Sequence, residues 1–435
     1  MKELLSIAFA KDVKTTLFGL PRFVSGHPFS EDEAEEFSKA ASTVFRKTPK
    51  KVVEAGLRRF SPLSERVTPE ERKLVLIGAS DALPYLQTEA SPKIVQALIK
   101  NHVLRKINLI KDYQSPFERR QRTEETIGLQ APWVIVIDIT SDCNLNCDGC
   151  YAGNSKKGKD PSLESLSELV SEAKELGISS VAFSGGEPLL RTKEIVELEK
   201  RHPELSYVVF TNGTLLTEEK AQKFLHTGAA TFFLFHLEGS IEHTNKYMGE
   251  GVFQKSVKSM AILKEMGIPF GFSIMINQLN FNEVTSDGFL DFLKNQGCVG
   301  GVYFPYIPIG TNPNPELVLN QEQRKELTTI AEALRKKGMF VLNPEEVIQH
   351  EGGCIAGTRY LSITTQGEVQ PCTFIHQSDV KVFDPHISLT EGLKQSHLIK
   401  AFQGAQKNCT SCMVRDRQNI LSKIIEETGA YSTEN

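Results

Sequence analysis

The sequence predicts an α/β protein: a partial (β/α)6 TIM-like barrel with an N-terminal helical region and a small C-terminal cysteine-rich cluster domain. Two observations predict it. Six short apolar runs alternate with six amphipathic stretches between Trp133 and Gly338, and seven of the eight cysteines fall in two groups, one just after the first run and one near the end. A chain of 435 residues has room for two or three units. They are expected at 1–130, 131–340 and 341–435.

Residues 1–130 read as helical. Ser30 with Glu33 makes a capping box, and Thr68-Pro69-Glu70-Glu71 makes a second with proline in the first turn. Ser91-Pro92 opens a helix with Ile94, Val95, Leu98, Ile99 and Val103 at helical spacing. This front carries 22 Lys and Arg against 17 Asp and Glu, the remainder 28 against 37. Segment 93–111 sets bulky apolar residues among Lys93, Lys100, His102, Arg105, Lys106 and Lys111. Two readings stand: these helices pack on the barrel and expose their lysines, or they form a surface for anionic lipid or an acidic partner, a peripheral contact at the inner face of a membrane. No run reaches the roughly 18–20 apolar residues of a membrane span. Lys11, Asp12 and Lys14 break any signal-like stretch, so a cytoplasmic protein is expected. Nucleic acid is not an expected partner, because the chain is acidic overall and lacks a basic stripe interleaved with aromatics.

The barrel strands are read at 133–140, 179–184, 206–211, 231–237, 268–276 and 300–307. The helices are read near 162–176, 192–201, 217–226, 252–266, 284–296 and 320–337, with stops at Gly177, Gly267 and Gly338. Near-continuous apolar strands joined by helices imply a parallel sheet with right-handed crossovers. Ligands to such sheets bind at the C-terminal strand ends.

At the first of those ends stands Ser-Asp-Cys-Asn-Leu-Asn-Cys-Asp-Gly-Cys, with thiols at Cys143, Cys147 and Cys150. Thiolates suit iron–sulfur clusters or zinc, and three ligands leave one coordination position open. Ser184-Gly185-Gly186-Glu187-Pro188 follows the second strand, Thr211-Asn212-Gly213 the third, and the fourth ends His236-Leu237-Glu238-Gly239. From Trp133 to Gly338 the sequence resembles the radical S-adenosylmethionine superfamily. The resemblance implies that Cys143, Cys147 and Cys150 bind a 4Fe–4S cluster whose fourth iron takes S-adenosyl-L-methionine. One electron then cleaves a C–S bond to give a 5′-deoxyadenosyl radical. It also implies cofactor contacts at Tyr151, Ser184, Gly185, Gly186, Glu187, Thr211, Asn212 and His236. The chain departs from the family pattern at Gly149, where relatives often carry an aromatic residue, at His236 and Glu238, where many carry Ser and Asp, and at Met248, where relatives often carry arginine.

Cys354 is followed by twelve residues, Gly367, four residues and Cys372, and Cys409 and Cys412 form a CxxC pair. This resembles the Twitch or SPASM-type extension of the same superfamily, with a hairpin turning at Thr364–Gly367. Four cysteines fill one auxiliary 4Fe–4S cluster, and a structural zinc site uses the same ligands. Cys298 reads as a buried apolar cysteine. The expected function is hydrogen abstraction from an unactivated C–H bond by an oxidoreductase or transferase, leaning to a hydrophobic or lipid-like substrate. A peptide- or protein-modifying maturase and a non-catalytic iron–sulfur or zinc scaffold are the alternatives. A low-potential electron donor of flavodoxin or ferredoxin type is the expected partner.

Overall fold

The computed structural model describes residues 116–434, apart from 338, 384–386, 407, 408 and 410. The front capping boxes, the basic segment 93–111 and the helix stop at Gly338 lie outside the described residues. Nine strands form one sheet: β1 Val134–Thr140, β2 Ser180–Gly185, β3 Ser206–Thr211, β4 Ala230–His236, β5 Phe270–Ile276, β6 Gly300–Pro305, β7 Phe340–Leu342, β8 Tyr360–Ile363 and β9 Val369–Gln370. Their order is β7-β6-β5-β4-β3-β2-β1-β8-β9, parallel throughout except for the antiparallel β8–β9 hairpin. The helices are α1 Pro116–Ile127, α2 Leu163–Glu175, α3 Thr192–Arg201, α4 Glu218–Leu225, α5 Ile241–Met248, α6 Val252–Met266, α7 Phe281–Val284 and α8 Asp287–Gln296. Then come α9 Gln321–Lys336, α10 Pro344–Glu351, α11 Leu389–Gln395, α12 His397–Ala405, α13 Met413–Asp416 and α14 Gln418–Thr428.

Strand alternation sorts the side chains. Ile135, Ile137 and Ile139 of β1 join the main core with Leu166 and Leu169 of α2, whereas Val136 and Asp138 point to the other face, the barrel lumen. The sheet runs past the six expected strands. β7 pairs with β6, and β8 pairs with the free edge of β1 in the register Ile137↔Ile363, so the cysteine-bearing hairpin is built onto the barrel wall. Its turn is where the sequence places it: Gly367 has φ +82° and its N–H donates to the Thr364 carbonyl at 2.9 Å.

The helix read near 284–296 is α8, which begins at Asp287 and is preceded by the short α7. Ser286 caps α8 by accepting from the Phe289 N–H, which ends α7 one turn earlier. A second core gathers Cys354, Cys372, Cys409, Leu398, Phe402 and Met413. The C-terminal residues double back, with β10 Gln377–Ser378 pairing with β11 Tyr431–Ser432. No helix among the described residues is long and apolar enough to cross a membrane.

Candidate active site

The loop after β1 carries the first three thiols and is tied to four neighbouring segments. The Gly186 N–H donates to the Thr140 carbonyl (2.8 Å) and the Glu187 N–H to the Asp142 carbonyl (2.9 Å). Asn212 Nδ2 donates to Asn144 Oδ1 (3.0 Å), and Asn144 Nδ2 donates to Thr214 Oγ1 (2.8 Å). The Asp148 N–H meets the Tyr247 carbonyl and the Thr311 N–H the Cys150 carbonyl, each at 3.1 Å. The thiols form one electrostatic group. Burial pushes Cys147 up to about 12, with the charges of Cys150 and Cys143 adding to it. Cys143 is raised by burial and by Glu187 and Cys150, and Cys150 by burial. Cys143 is the exposed member.

The departure at Gly149 has a local counterpart in Tyr247. Gly149 has φ +68°, and a Cβ built on it would stand 2.8 Å from the Tyr247 hydroxyl. The phenol of Tyr247, from α5, fills the space beside a residue that has no side chain, in the segment where Met248 also departs.

Gly185 and Gly186 allow a close backbone approach. A Cβ on Gly185 would meet the Thr140 carbonyl at 2.3 Å, and one on Gly186 the Asp142 carbonyl at 2.0 Å. The side-chain space these glycines leave is thus taken by the cysteine loop itself. Glu187 is buried, and both its oxygens are engaged: Oε1 accepts from the Leu189 N–H (2.9 Å) and Thr211 Oγ1 (2.7 Å), Oε2 from the Asn212 N–H (2.8 Å). Burial raises its pKa while these bonds pull it back. The Thr211 hydroxyl is used in both directions, since it also accepts from the Gly213 N–H at 2.9 Å. Thr211 therefore positions Glu187, and Asn212 positions the cysteine loop.

Inside the lumen a belt of rings crosses from wall to wall. His236 stacks on Phe210 (6.0 Å between centroids), Phe210 meets Phe304 (6.2 Å), Phe304 meets Phe374 (6.3 Å) and Phe374 meets Tyr151 edge-on (5.4 Å). β4 and β5 separate β3 from β6 in the sheet, so the Phe210–Phe304 contact spans the lumen. Tyr151 closes the belt through a 2.9 Å hydrogen bond with Ser184 Oγ, and Ser184 lies opposite Asp138 in the β1–β2 register. Burial pushes Asp138 up to about 7 and His236 down to about 4. Asp138 Oδ1, Glu238 Oε2 and Ser273 Oγ are buried without a hydrogen-bond partner, and His236 makes no hydrogen bond or ion pair among the described residues. The sequence singles out Tyr151, Ser184 and His236 but not Asp138, Phe210, Phe304 or Phe374. Asp138 has a visible signal, as the lone charge in an apolar strand. The phenylalanines have none.

The second thiol set is also grouped. The Cys354 N–H donates to the Cys409 carbonyl (3.0 Å), and Cys354 is raised by burial and by the charge of Cys409. Cys372 is pushed up to about 12 and Cys412 to about 11, first by burial and then through charges that include Cys354 in both cases. Cys372 Sγ accepts from the Phe374 N–H (3.4 Å) and lies 2.7 Å from the Tyr360 hydroxyl. Cys298 is fully buried in the main core, as its sequence setting implies. Among the described residues no three His, Cys, Asp or Glu side chains close tightly enough for a single metal ion. Burial holds the thiols of the first set, and Cys354, Cys372 and Cys412 of the second, in their neutral form. A bound cationic cluster offsets that effect of burial, and in donor chemistry both sets fit such a group.

A parallel barrel with three thiols at the C-terminal end of its first strand, above a lumen with unpaired polar groups, has the layout of an α/β enzyme whose site lies at the barrel mouth. Residues 137–291 match the family model described as the Radical SAM superfamily. An AdoMet-dependent heme synthase of Methanosarcina barkeri (strain Fusaro / DSM 804) is 23% identical over 275 residues, covering 56% of this chain and 78% of that protein. A PqqA peptide cyclase of Gluconobacter oxydans (strain 621H) is 25% identical over 309 residues, 66% and 84% of the two chains. The fold is similar to that of Streptococcus suis SuiB bound to the precursor peptide SuiA, with a TM-score of 0.55 at 14% identity, over 75% of this chain and 83% of that one. Residues 137–291 are thus a Radical SAM superfamily domain whose relatives are enzymes, and the cysteine-bearing segment that follows it is built onto the same sheet. The chemistry of that family uses S-adenosylmethionine and a 4Fe–4S cluster, which removes the non-catalytic scaffold from consideration.

Proposed function

We propose that this enzyme holds its radical-generating cluster on Cys143, Cys147 and Cys150 and abstracts hydrogen from a C–H bond of a peptide or protein side chain admitted to the lumen. The observation that carries this is the three mutually interacting thiols latched to Glu187 and Asn212 at the mouth of the ring-lined lumen. A 4Fe–4S cluster held by Cys143, Cys147 and Cys150 would supply the one-electron reduction of S-adenosylmethionine on which hydrogen abstraction depends. The chain's own residues bind and exclude. Glu187 Oε2 has one internal partner and retains acceptor capacity for an ammonium group. His236 is neutral at physiological pH and presents ring nitrogens with no other partner among the described residues. The Phe210–Phe304–Phe374 belt keeps water from the reacting carbon. Exposed Cys143 marks the side from which a flavodoxin- or ferredoxin-type donor delivers its electron.

The peptide reading rests on the PqqA peptide cyclase and on SuiB with its precursor peptide. The leaning to a lipid-like substrate draws on residues outside the described region and has no support within it. We assign Cys354, Cys372, Cys409 and Cys412 to one auxiliary 4Fe–4S cluster. Anaerobically reconstituted protein with dithionite is expected to convert S-adenosylmethionine to 5′-deoxyadenosine and methionine, and Cys147→Ala to lose this completely. Persistence of 5′-deoxyadenosine in a Cys143/Cys147/Cys150 triple variant would sink the assignment.

A further inference from the structure

The strands of the barrel sheet contain no Lys or Arg and, among the described residues, one acidic side chain, Asp138. It faces the lumen from β1, beside Ser184 and within the electrostatic reach of Tyr151. Its Oδ1 is buried without a partner, as are Ser273 Oγ on β5 and Ser362 Oγ on β8. Polar atoms buried unpaired in one lumen call for a partner from outside the chain, a water or a polar group of a ligand. Glu187, the carboxylate assigned above to the cofactor's ammonium, is a separate group on β2's end, which leaves Asp138 unclaimed.

We infer that Asp138 anchors a substrate ammonium group, with the apolar stem of that substrate lying against Phe210, Phe304 and Phe374. This deepens the proposed function and rests on it. Three physical facts favour an ammonium over other occupants. A lone carboxylate with no basic neighbour attracts a cation and repels an anion. The aromatic belt, which reaches Asp138's neighbourhood through Tyr151, attracts the same cation to its ring faces. Ser184, opposite Asp138 in the strand register, adds a hydroxyl oxygen that accepts another of the ammonium's N–H bonds. The same ammonium-on-a-stem chemistry is carried by a lysine side chain of a peptide and by a free amine.

The test uses anaerobically reconstituted enzyme with S-adenosylmethionine bound and no reductant, so that nothing turns over. Ligand-observed NMR measures three probes: Nα-acetyl-lysinamide, phenethylamine and 3-phenylpropionate. At least one of the two ammonium probes is expected to bind, the carboxylate probe not, and the tighter of the two says whether the amine is peptide-borne or free. Asp138→Asn should weaken the ammonium probe at least tenfold while leaving S-adenosylmethionine affinity unchanged and without lowering the melting temperature at pH 7. Phe304→Ala should weaken the same probe and so test the stem independently of the charge. The inference is overturned if 3-phenylpropionate binds as well as the amines, if neither amine binds, or if Asp138→Asn keeps full probe affinity. Loss of S-adenosylmethionine binding in Asp138→Asn also overturns it, since Asp138 would then serve the cofactor. Failure of the proposed function shows separately, as absence of 5′-deoxyadenosine from the reduced wild type.

Discussion

Asp138 is the residue at which local sequence rules and the fold disagree most openly. A charged residue is out of place in Val-Ile-Val-Ile-Asp-Ile-Thr unless something outside the strand requires it. Its carboxyl sits at about 7 against an ordinary 3.8 because burial disfavours the charged form. The native state therefore keeps a proton that the unfolded chain has already released between about pH 4 and pH 7, and this residue's contribution to stability falls as pH rises through that window. Tyr151, the titratable neighbour across from it, is held un-ionised by burial and stays silent there. The melting temperature of wild type minus that of Asp138→Asn should fall steadily from pH 4 to pH 7. A difference that stays level across those pH values would falsify the assignment of Asp138 as the buried titrating group. At this scale the cysteines are legible in the sequence, because packing alone seldom sets three thiols at fixed spacing in one polar loop. The ring belt is not, because Phe210, Phe304 and Phe374 lie on three separate elements and meet only when the sheet closes.

Among the elements, the six expected strands and most helices follow from apolar runs, caps and glycine stops, and these local signals are strong. Ser162 and Thr217 cap α2 and α4, each accepting from the backbone N–H three residues on. What escapes the sequence is set by tertiary pairing. β7 is three residues long and β9 two, lengths at which neither periodicity nor composition can speak, and each exists because a neighbouring strand offers an edge. Family likeness makes the Gly-Gly turn after β2 a place where a cofactor lies. Its geometry shows a demand of the fold itself. Gly186→Ala drives a Cβ into the Asp142 carbonyl and should destabilise the protein by roughly 1–3 kcal/mol, the usual range for overpacking. Gly288→Ala, in the first turn of α8 with nothing within 4 Å of its Cβ, should be neutral or slightly stabilising. Thermal melts of the two variants decide it: equal melting temperatures would mean that the loop is not pinned as described.

Across the whole molecule, the β8–β9 hairpin makes barrel and cysteine extension one body, since Cys372 follows a strand pair that hangs from β1. If both thiol sets hold cubanes, the protein should bind about eight irons per chain, four at each site by ordinary Cys₄ and Cys₃ stoichiometry. A double Cys409→Ala/Cys412→Ala variant should retain about half of that iron and still respond to S-adenosylmethionine in the spectrum of the first cluster. One zinc beside four irons in the wild type would instead make the extension a structural staple, for zinc has no redox chemistry. The returning C-terminal segment has a practical consequence. The Lys156 N–H donates to the Thr433 carbonyl at 3.3 Å, Lys156 Nζ to the Ser432 carbonyl at 2.7 Å, and the Lys156 cation lies over the Tyr431 ring. Those last residues belt down the same loop that, six positions earlier, carries Cys150. A fluorescent label or other bulky group attached within 431–434 therefore pulls on the loop that carries Cys150, and a labelled preparation that comes off the column colourless would point to the label rather than to air.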